Sequence, residues 1–250
     1  MLPISFTKQQ PVSIKAGLFI LLAGLTNAAS ANLIVNGSFE TPALAPGSSY
    51  RTFQIGSNGL TGWDILGPAA ATVDLAESSY NLPDAYGHRF PASTGNQWLD
   101  LTGHATNSYG GVGQTAVTAP GARYRLTFDI GNLADPLHGY GSTSKVDLWI
   151  NGRLAQSFTN QSGPSTNLNW QSFTYLFTAS SAGASYIAFR NADNTSDNLN
   201  GLDNVVLSPV PEPSTAAMTL GGLMLLCGMA RLRKKNRQAA NSSQVSGKPE

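Results

Sequence analysis

Hydrophobic and polar residues alternate with a period of two through the middle of this chain. Tyr124, Leu126, Phe128 and Ile130 are separated by Arg125, Thr127 and Asp129, and Val146, Leu148 and Ile150 make a second such face. Phe173, Tyr175 and Phe177 repeat the pattern, as do Ile187 and Phe189. Successive side chains of a strand point to opposite faces, so each run predicts a half-buried β-strand. Shorter runs predict strands at 33–39, 62–66, 71–75, 97–101, 112–118 and 203–208. Pro120-Gly121, Asn151-Gly152 and Asn200-Gly201 punctuate them as turns. Asn151-Gly152, between 146–150 and 153–158, predicts a hairpin, because a type I′ turn needs positive φ at both central residues. Many short strands without an amphipathic helix predict an all-β fold, an antiparallel two-sheet β-sandwich of jelly-roll type. Two stretches, 41–60 and 76–96, carry little pattern and read as long loops, which in a compact domain are often functional.

The pattern changes at both ends. Residues 1–15 contain Lys8 and Lys15 and no acid; an apolar run from Ala16 to Leu25 follows, then Ala29-Ser30-Ala31. That order predicts a secretion signal over 1–31 with cleavage after Ala31. The mature domain is then 32–209. Beyond it come a proline-bearing linker at 210–214, an apolar run at 215–230, and a basic cluster of Arg231, Arg233, Lys234, Lys235 and Arg237. The apolar run predicts a transmembrane helix, but its 16 residues reach only about 24 Å at ~1.5 Å each, short of the ~30 Å hydrocarbon core. The basic cluster would stay cytoplasmic and leave the domain outside, with 231–250 a disordered tail.

Composition narrows the function. The formal net charge of +1 conceals an acidic domain, because 32–209 holds seven Lys or Arg against twelve Asp or Glu. Nucleic acid is a poor partner for such a surface. Cys227 is the sole cysteine, so the chain can form neither an internal disulfide nor a cysteine-based metal site.

Two resemblances rest on particular residues. Pro211-Glu212-Pro213, the apolar run and the basic cluster, in that order, resemble the PEP-CTERM sorting signal of Gram-negative bacteria. That resemblance implies an exosortase-type membrane enzyme as partner, a transient inner-membrane anchor, and a final place at the cell surface or in the extracellular matrix. Within the domain, the series Asn32-Leu33-Ile34-Val35-Asn36-Gly37-Ser38-Phe39-Glu40, Gly62-Trp63, Gly95-Asn96-Gln97-Trp98-Leu99-Asp100-Leu101, Val112-Gly113-Gln114-Thr115 and Leu202-Asp203-Asn204-Val205 is similar to the galactose-binding-like jelly rolls. Within that group it looks most like the domain of unknown function 642 and its bacterial choice-of-anchor relatives. The chain lacks the cysteines of the plant pattern and has one such domain. The resemblance implies a structural calcium held by Glu40 and Asp203, the alternative being that these acids only bond turns.

Candidate ligand contacts follow from the alternation. Trp63 and Trp170 read as core. Trp98 lies opposite Leu99 and Leu101, and Trp149 opposite Leu148 and Ile150, so each is either displayed to a sugar or covered by a loop. Asp100 shares Trp98's face and could accept hydroxyl bonds. Tyr80 and Tyr86 lie in the tyrosine-rich loop 78–89, the best loop candidate for ligand contact. His88, His104 and His138 lack metal-ligand spacing and read as solvated, and Gly110-Gly111-Val112-Gly113 reads as a turn entering a strand. No nucleophile–base motif appears. The sequence therefore predicts an exported, non-enzymatic surface or matrix protein with carbohydrate (exopolysaccharide or surface glycan) binding as the sharper form. A protein–protein adhesive module is the alternative.

Overall fold

The longest alternating run, Arg123–Asn132, is a ten-residue strand, β6, at the heart of a computed structural model that describes residues 31–45, 47–80, 84–103, 109–180, 182–193, 199–211 and 215–245, with side chains of the last segment described at 221–237. On β6 Leu126, Phe128 and Ile130 are fully buried. Alternation places all three on one face, against the second sheet. That sheet, with β6 in it, runs β1 (Tyr50–Gln54), β3 (Thr72–Glu77), β4 (Gln97–Asp100), β11 (Gly201–Pro209), β6 and β9 (Asn169–Thr178). The other runs β2 (Asp64–Leu66), β5 (Gly111–Val117), β10 (Ala184–Asn191), β7 (Ser144–Ile150) and β8 (Arg153–Asn160). All pairings between these strands are antiparallel. The chain crosses between the sheets repeatedly, which gives the expected two-sheet sandwich.

Inward faces interdigitate as one core. Phe128 packs edge-on against Phe158 of β8 at 5.0 Å and Phe189 of β10 at 4.9 Å between ring centroids, joining the sheets at their middle. The predicted hairpin is present: β7 pairs with β8 across Asn151-Gly152, whose φ values are 51° and 77°. Those are the positive angles that a type I′ turn demands.

Three expectations need correction. Residues 33–39 form a turn rather than a strand, with Asn36 and Phe39 both at φ 54°. Their buried apolar side chains, Ile34 and Phe39, do not keep a period of two; Leu33 N–H bonds the Leu207 carbonyl at 2.9 Å and Phe39 packs on Trp63. β1 lies inside the stretch 41–60 read as loop. It is an edge strand with only Phe53 of its five residues buried, so it carries too few apolar positions to register as alternation. Finally, the 231–250 segment, expected to be disordered, is helical as far as Val245: helix α1 spans Thr215–Val245 without a break at the basic cluster. Gln, Ala, Lys and Arg, good helix formers, fill that stretch. Among the described residues no helix is long and apolar enough to cross a membrane. The signal expected at 1–31 and the Glu212 and Pro213 of the sorting motif lie outside the described residues, apart from Ala31.

Candidate functional site

A second, smaller core lies on the outer face of the six-stranded sheet. Phe90, Trp98, Leu133, Leu168 and Leu199 bury one another there, flanked by Tyr80, Tyr140 and Trp170. The alternation that sends Leu99 inward sends Trp98 outward, and the segment before β4 folds back over it. Trp98 Nε1–H donates to the Phe90 carbonyl at 3.0 Å, and Trp170 Nε1–H to the Pro91 carbonyl at 2.8 Å. Trp170 can come close to the sheet because Gly131 and Gly201 have no side chain; a Cβ on either would come within 3.0 Å of the indole. Two tryptophans thus pin the 84–92 segment. Of the two alternatives left open for Trp98, display to a sugar or cover by a loop, the structure shows the second: Trp98 is 1% exposed.

On this platform Asp84, His88, Asp135 and His138 converge. Asp84 Oδ1 accepts the backbone N–H of Tyr86 at 2.9 Å and of His88 at 2.8 Å, a turn made by its own side chain. Its Oδ2 meets His88 Nδ1 at 2.7 Å, and the other ring nitrogen of His88, Nε2, lies 3.0 Å from Asp135 Oδ2. The same oxygen meets His138 Nδ1 at 2.7 Å. Asp135 is set by a short 3-10 turn, Pro136–His138, which ends at Gly139 with φ 87°. His88 is 2% exposed, so the expectation that the loop histidines are solvated fails for it. Burial works to raise the Asp84 carboxyl, but the His88 and Tyr86 amides and the His88 ring outweigh it and hold it below its usual value. The bond from His138, with a smaller share from His88, likewise lowers Asp135. Burial, with Asp84 nearby, pushes the Tyr140 hydroxyl up to about 12, and it donates to Asp84 Oδ2 at 3.5 Å.

A shallow groove of about 540 Å³ opens beside these groups, bounded by Tyr86, His88, Asp135, Leu137 and the Pro164–Thr166 loop. Tyr86 is 60% exposed, and its ring lies over His138 with centroids 3.8 Å apart and planes 31° apart. The Pro164–Thr166 loop is fixed by Arg89 N–H to the Thr166 carbonyl and Leu168 N–H to the Arg89 carbonyl, both at 2.8 Å.

Comparison with known proteins follows the sandwich. Residues 30–208 match the family described as HpiC1-like, HpiC1 cyclase. The chain belongs to this family. No curated protein matches it. Among solved structures, TmCBM61 in complex with β-1,4-galactotriose is 15% identical with a TM-score of 0.43, over 72% of this chain and 100% of that one. A family 35 carbohydrate binding module from Clostridium thermocellum is 15% identical with a TM-score of 0.38, over 64% and 98%. The enzymatically active domain of bacteriophage CBA120 tailspike protein 4 is 14% identical with a TM-score of 0.41, over 72% of this chain and 21% of that one. The HpiC1-like chain therefore spans about a fifth of the tailspike chain.

The other predicted residues of this HpiC1-like chain fall in different places. Tyr86 reaches the groove, whereas Tyr80 is half-buried behind it, edge-on to Tyr50 and against Phe90. Asp100 Oδ1 is engaged within the fold, accepting Thr102 N–H, Thr102 Oγ1–H and Asn200 N–H at 2.9, 2.8 and 3.0 Å. Burial pushes its carboxyl up to about 6, against those bonds and with Asp74 adding to the rise. Trp149 is half-buried on the five-stranded sheet, with the Arg190 guanidinium 5.1 Å from its ring. Glu40 and Asp203 are brought to one loop. Glu40 Oε1 accepts Asn96 and Gln97 N–H at 2.8 and 2.9 Å, and Asp203 Oδ2 accepts Thr94 N–H at 2.9 Å. Asp129, opposite Asp203 in the β6–β11 register, adds a third acid. The described part of the basic cluster, Arg231 to Arg237, is exposed on α1.

The histidine cluster was missed because each histidine was read alone. The legible signal is spacing: an Asp precedes His88 by four residues and His138 by three.

Proposed function

We propose that this is an exported, non-catalytic surface or extracellular-matrix protein whose sandwich holds a short stretch of polysaccharide in the groove beside Tyr86. The observation that carries the reading is Tyr86 itself. A ring 60% exposed yet backed by His138 offers a fixed apolar face, and the C–H face of a sugar packs against such a ring. Asp135, Ser165 and Thr166 border the same groove and supply acceptors and hydroxyls for sugar hydroxyls.

The route to the surface is part of the proposal. Residues 1–31 serve as the secretion signal, 215–230 as a temporary membrane anchor, and Pro211-Glu212-Pro213 as the motif that an exosortase-type enzyme recognises, consistent with the PEP-CTERM resemblance. Glu40 and Asp203 would hold a structural calcium with carbonyl oxygens of the loop they share. Burial pushes Asp203 up to about 7, and the like charge of Asp129 adds to the rise, which suits a site where a divalent cation neutralises oxygen ligands.

A glycan array probed with the full chain tests the sugar reading. Retention of a polysaccharide fragment by the wild type and its loss in Tyr86→Ala supports it. Binding of no glycan, the host's own exopolysaccharide included, or unchanged binding by Tyr86→Ala, sinks it. A cyclase activity is the second reading. The family match favours it, together with a carboxylate–histidine–carboxylate chain able to pass a proton at the groove wall.

A further inference from the structure

We propose that His88, Asp135 and His138 form a binding site for a divalent transition-metal ion of the zinc class. Among the described residues these are the one group of three or more metal-ligating side chains whose ligand atoms all lie within 4.8 Å of one another. They come from two segments, the 84–92 segment and the turn after β6, which the second core packs together.

Donor chemistry selects the metal. Two imidazoles and one carboxylate suit borderline ions such as zinc, cobalt, nickel and copper, whereas calcium and magnesium take mainly oxygen. The orientation of His88 is the decisive detail. With the proton of a neutral ring placed on Nδ1, toward Asp84 Oδ2 at 2.7 Å, the Nε2 lone pair points at the Asp135 carboxylate 3.0 Å away. Two acceptors face each other at that distance only with a proton or a cation between them. A carboxylate behind a histidine ligand, as Asp84 stands behind His88, is the usual outer partner of a metal site, where it sets the tautomer and strengthens the donor. Asp84 is itself held by two backbone amides.

Tetrahedral zinc with bonds of about 2.0–2.1 Å sets neighbouring ligand atoms roughly 3.3 Å apart. Asp135 Oδ2 stands 3.0 Å from His88 Nε2 and 2.7 Å from His138 Nδ1. Admitting the ion is an adjustment in which those two separations open by about 0.3 and 0.6 Å and the two imidazole nitrogens, within 4.8 Å of each other, reach the same spacing. Asp135 and His138 can supply it, since their side chains are 23% and 31% exposed, while His88 stays fixed at 3%. Three protein ligands leave a fourth position on the ion, and the groove lined by His88 and Asp135 lies beside the cluster with room for water or a hydroxyl-bearing ligand there. The inference does not rest on the sugar reading, because the metal alone is the probe.

The experiment titrates the full chain, stripped with chelator and dialysed, with Co²⁺ and then Zn²⁺. One equivalent of cobalt should give the intense visible d–d bands of a low-coordinate site, and one of zinc should abolish them. His138→Ala, at the exposed end of the cluster, should keep the wild-type thermal midpoint and lose the bands. Asp84→Asn should retain them with affinity lowered about 10–100-fold. A spectrum no different from aqueous cobalt, or equal binding by wild type and His138→Ala, overturns the proposal.

Discussion

The indole N–H of Trp98 bonds the carbonyl of Phe90 at 3.0 Å, tying the outer face of β4 to the segment that carries His88 two residues earlier. Removing the ring by Trp98→Ala should cost about 3–5 kcal/mol, the usual range for a large buried aromatic. Trp98→Phe, which keeps most of the apolar volume and loses the donor, should cost less, about 1–3 kcal/mol for the carbonyl left without a partner. Urea unfolding of both variants checks the order. No loss in Trp98→Phe would mean that the hydrogen bond contributes nothing beyond packing, and equal losses in the two variants would mean that the bond rather than the packing carries the cost.

Asp100 and Asp74 face each other in the β3–β4 register, and burial with that like charge raises Asp100 to about 6 from 3.8. The folded chain then binds more protons than the unfolded one between roughly pH 4 and 6, so stability should fall as pH rises through that window and level off above it. A shift of this size corresponds to at most about 3 kcal/mol. Asp100→Asn keeps an oxygen for Thr102 and Asn200 but carries no charge, and it should flatten that part of the curve. Thermal unfolding followed from pH 4 to 8 in both proteins is the measurement, and parallel curves would refute the assignment.

Most of the sandwich is legible in the chain because its strands bury one face. Tyr124 to Ile130 alternate, and so β6 is found; Asn151-Gly152 supplies the turn, and so β7 and β8 are found. What the pattern does not carry is the cover on the outer face. Trp98 stays open between display and cover because alternation says only which way a side chain points, not what folds over it. The 84–92 segment that covers it has no period, since its order comes from single bonds such as Trp170 to Pro91 and from the Asp84 turn. The site is therefore half legible. Tyr86 is found by its exposed loop, whereas His88 and His138 need three-dimensional proximity that 47 residues of separation hide between His88 and its partner Asp135.

Calcium is a separate question from the histidine cluster. If Glu40 and Asp203 hold it, millimolar calcium should raise the thermal midpoint over chelator by roughly 5 °C or more, the size expected when an ion saturates a site at about 100 times its dissociation constant. Glu40→Gln and Asp203→Asn should each erase the difference between the two buffers. Magnesium should not replace calcium, because its stricter octahedral geometry fits a loop of mixed carbonyls poorly. Coincident midpoints in calcium and chelator would leave the two acids as braces for the 94–97 loop and nothing more.

The tail makes the last prediction. Helix α1 continues from the apolar run through Arg231, Arg233, Lys234, Lys235 and Arg237 to Val245. Its 31 residues extend about 47 Å at ~1.5 Å per residue, but charge enters after 16 of them. The apolar part alone is too short for a comfortable span, and a helix that cannot bury its ends must tilt less, thin the bilayer or draw its basic side chains to the interface. If this helix is the proposed anchor, its short apolar part suits a temporary stay. Replacing Pro211-Glu212-Pro213 by alanines should leave the export step intact and the chain uncut, accumulating at full tail length in the inner-membrane fraction, while the wild type loses its tail and moves outward. Fractionation with antibody against the sandwich reads both species. Unchanged processing and location in the triple-alanine chain would remove the sorting role and leave the motif as a proline linker between β11 and α1.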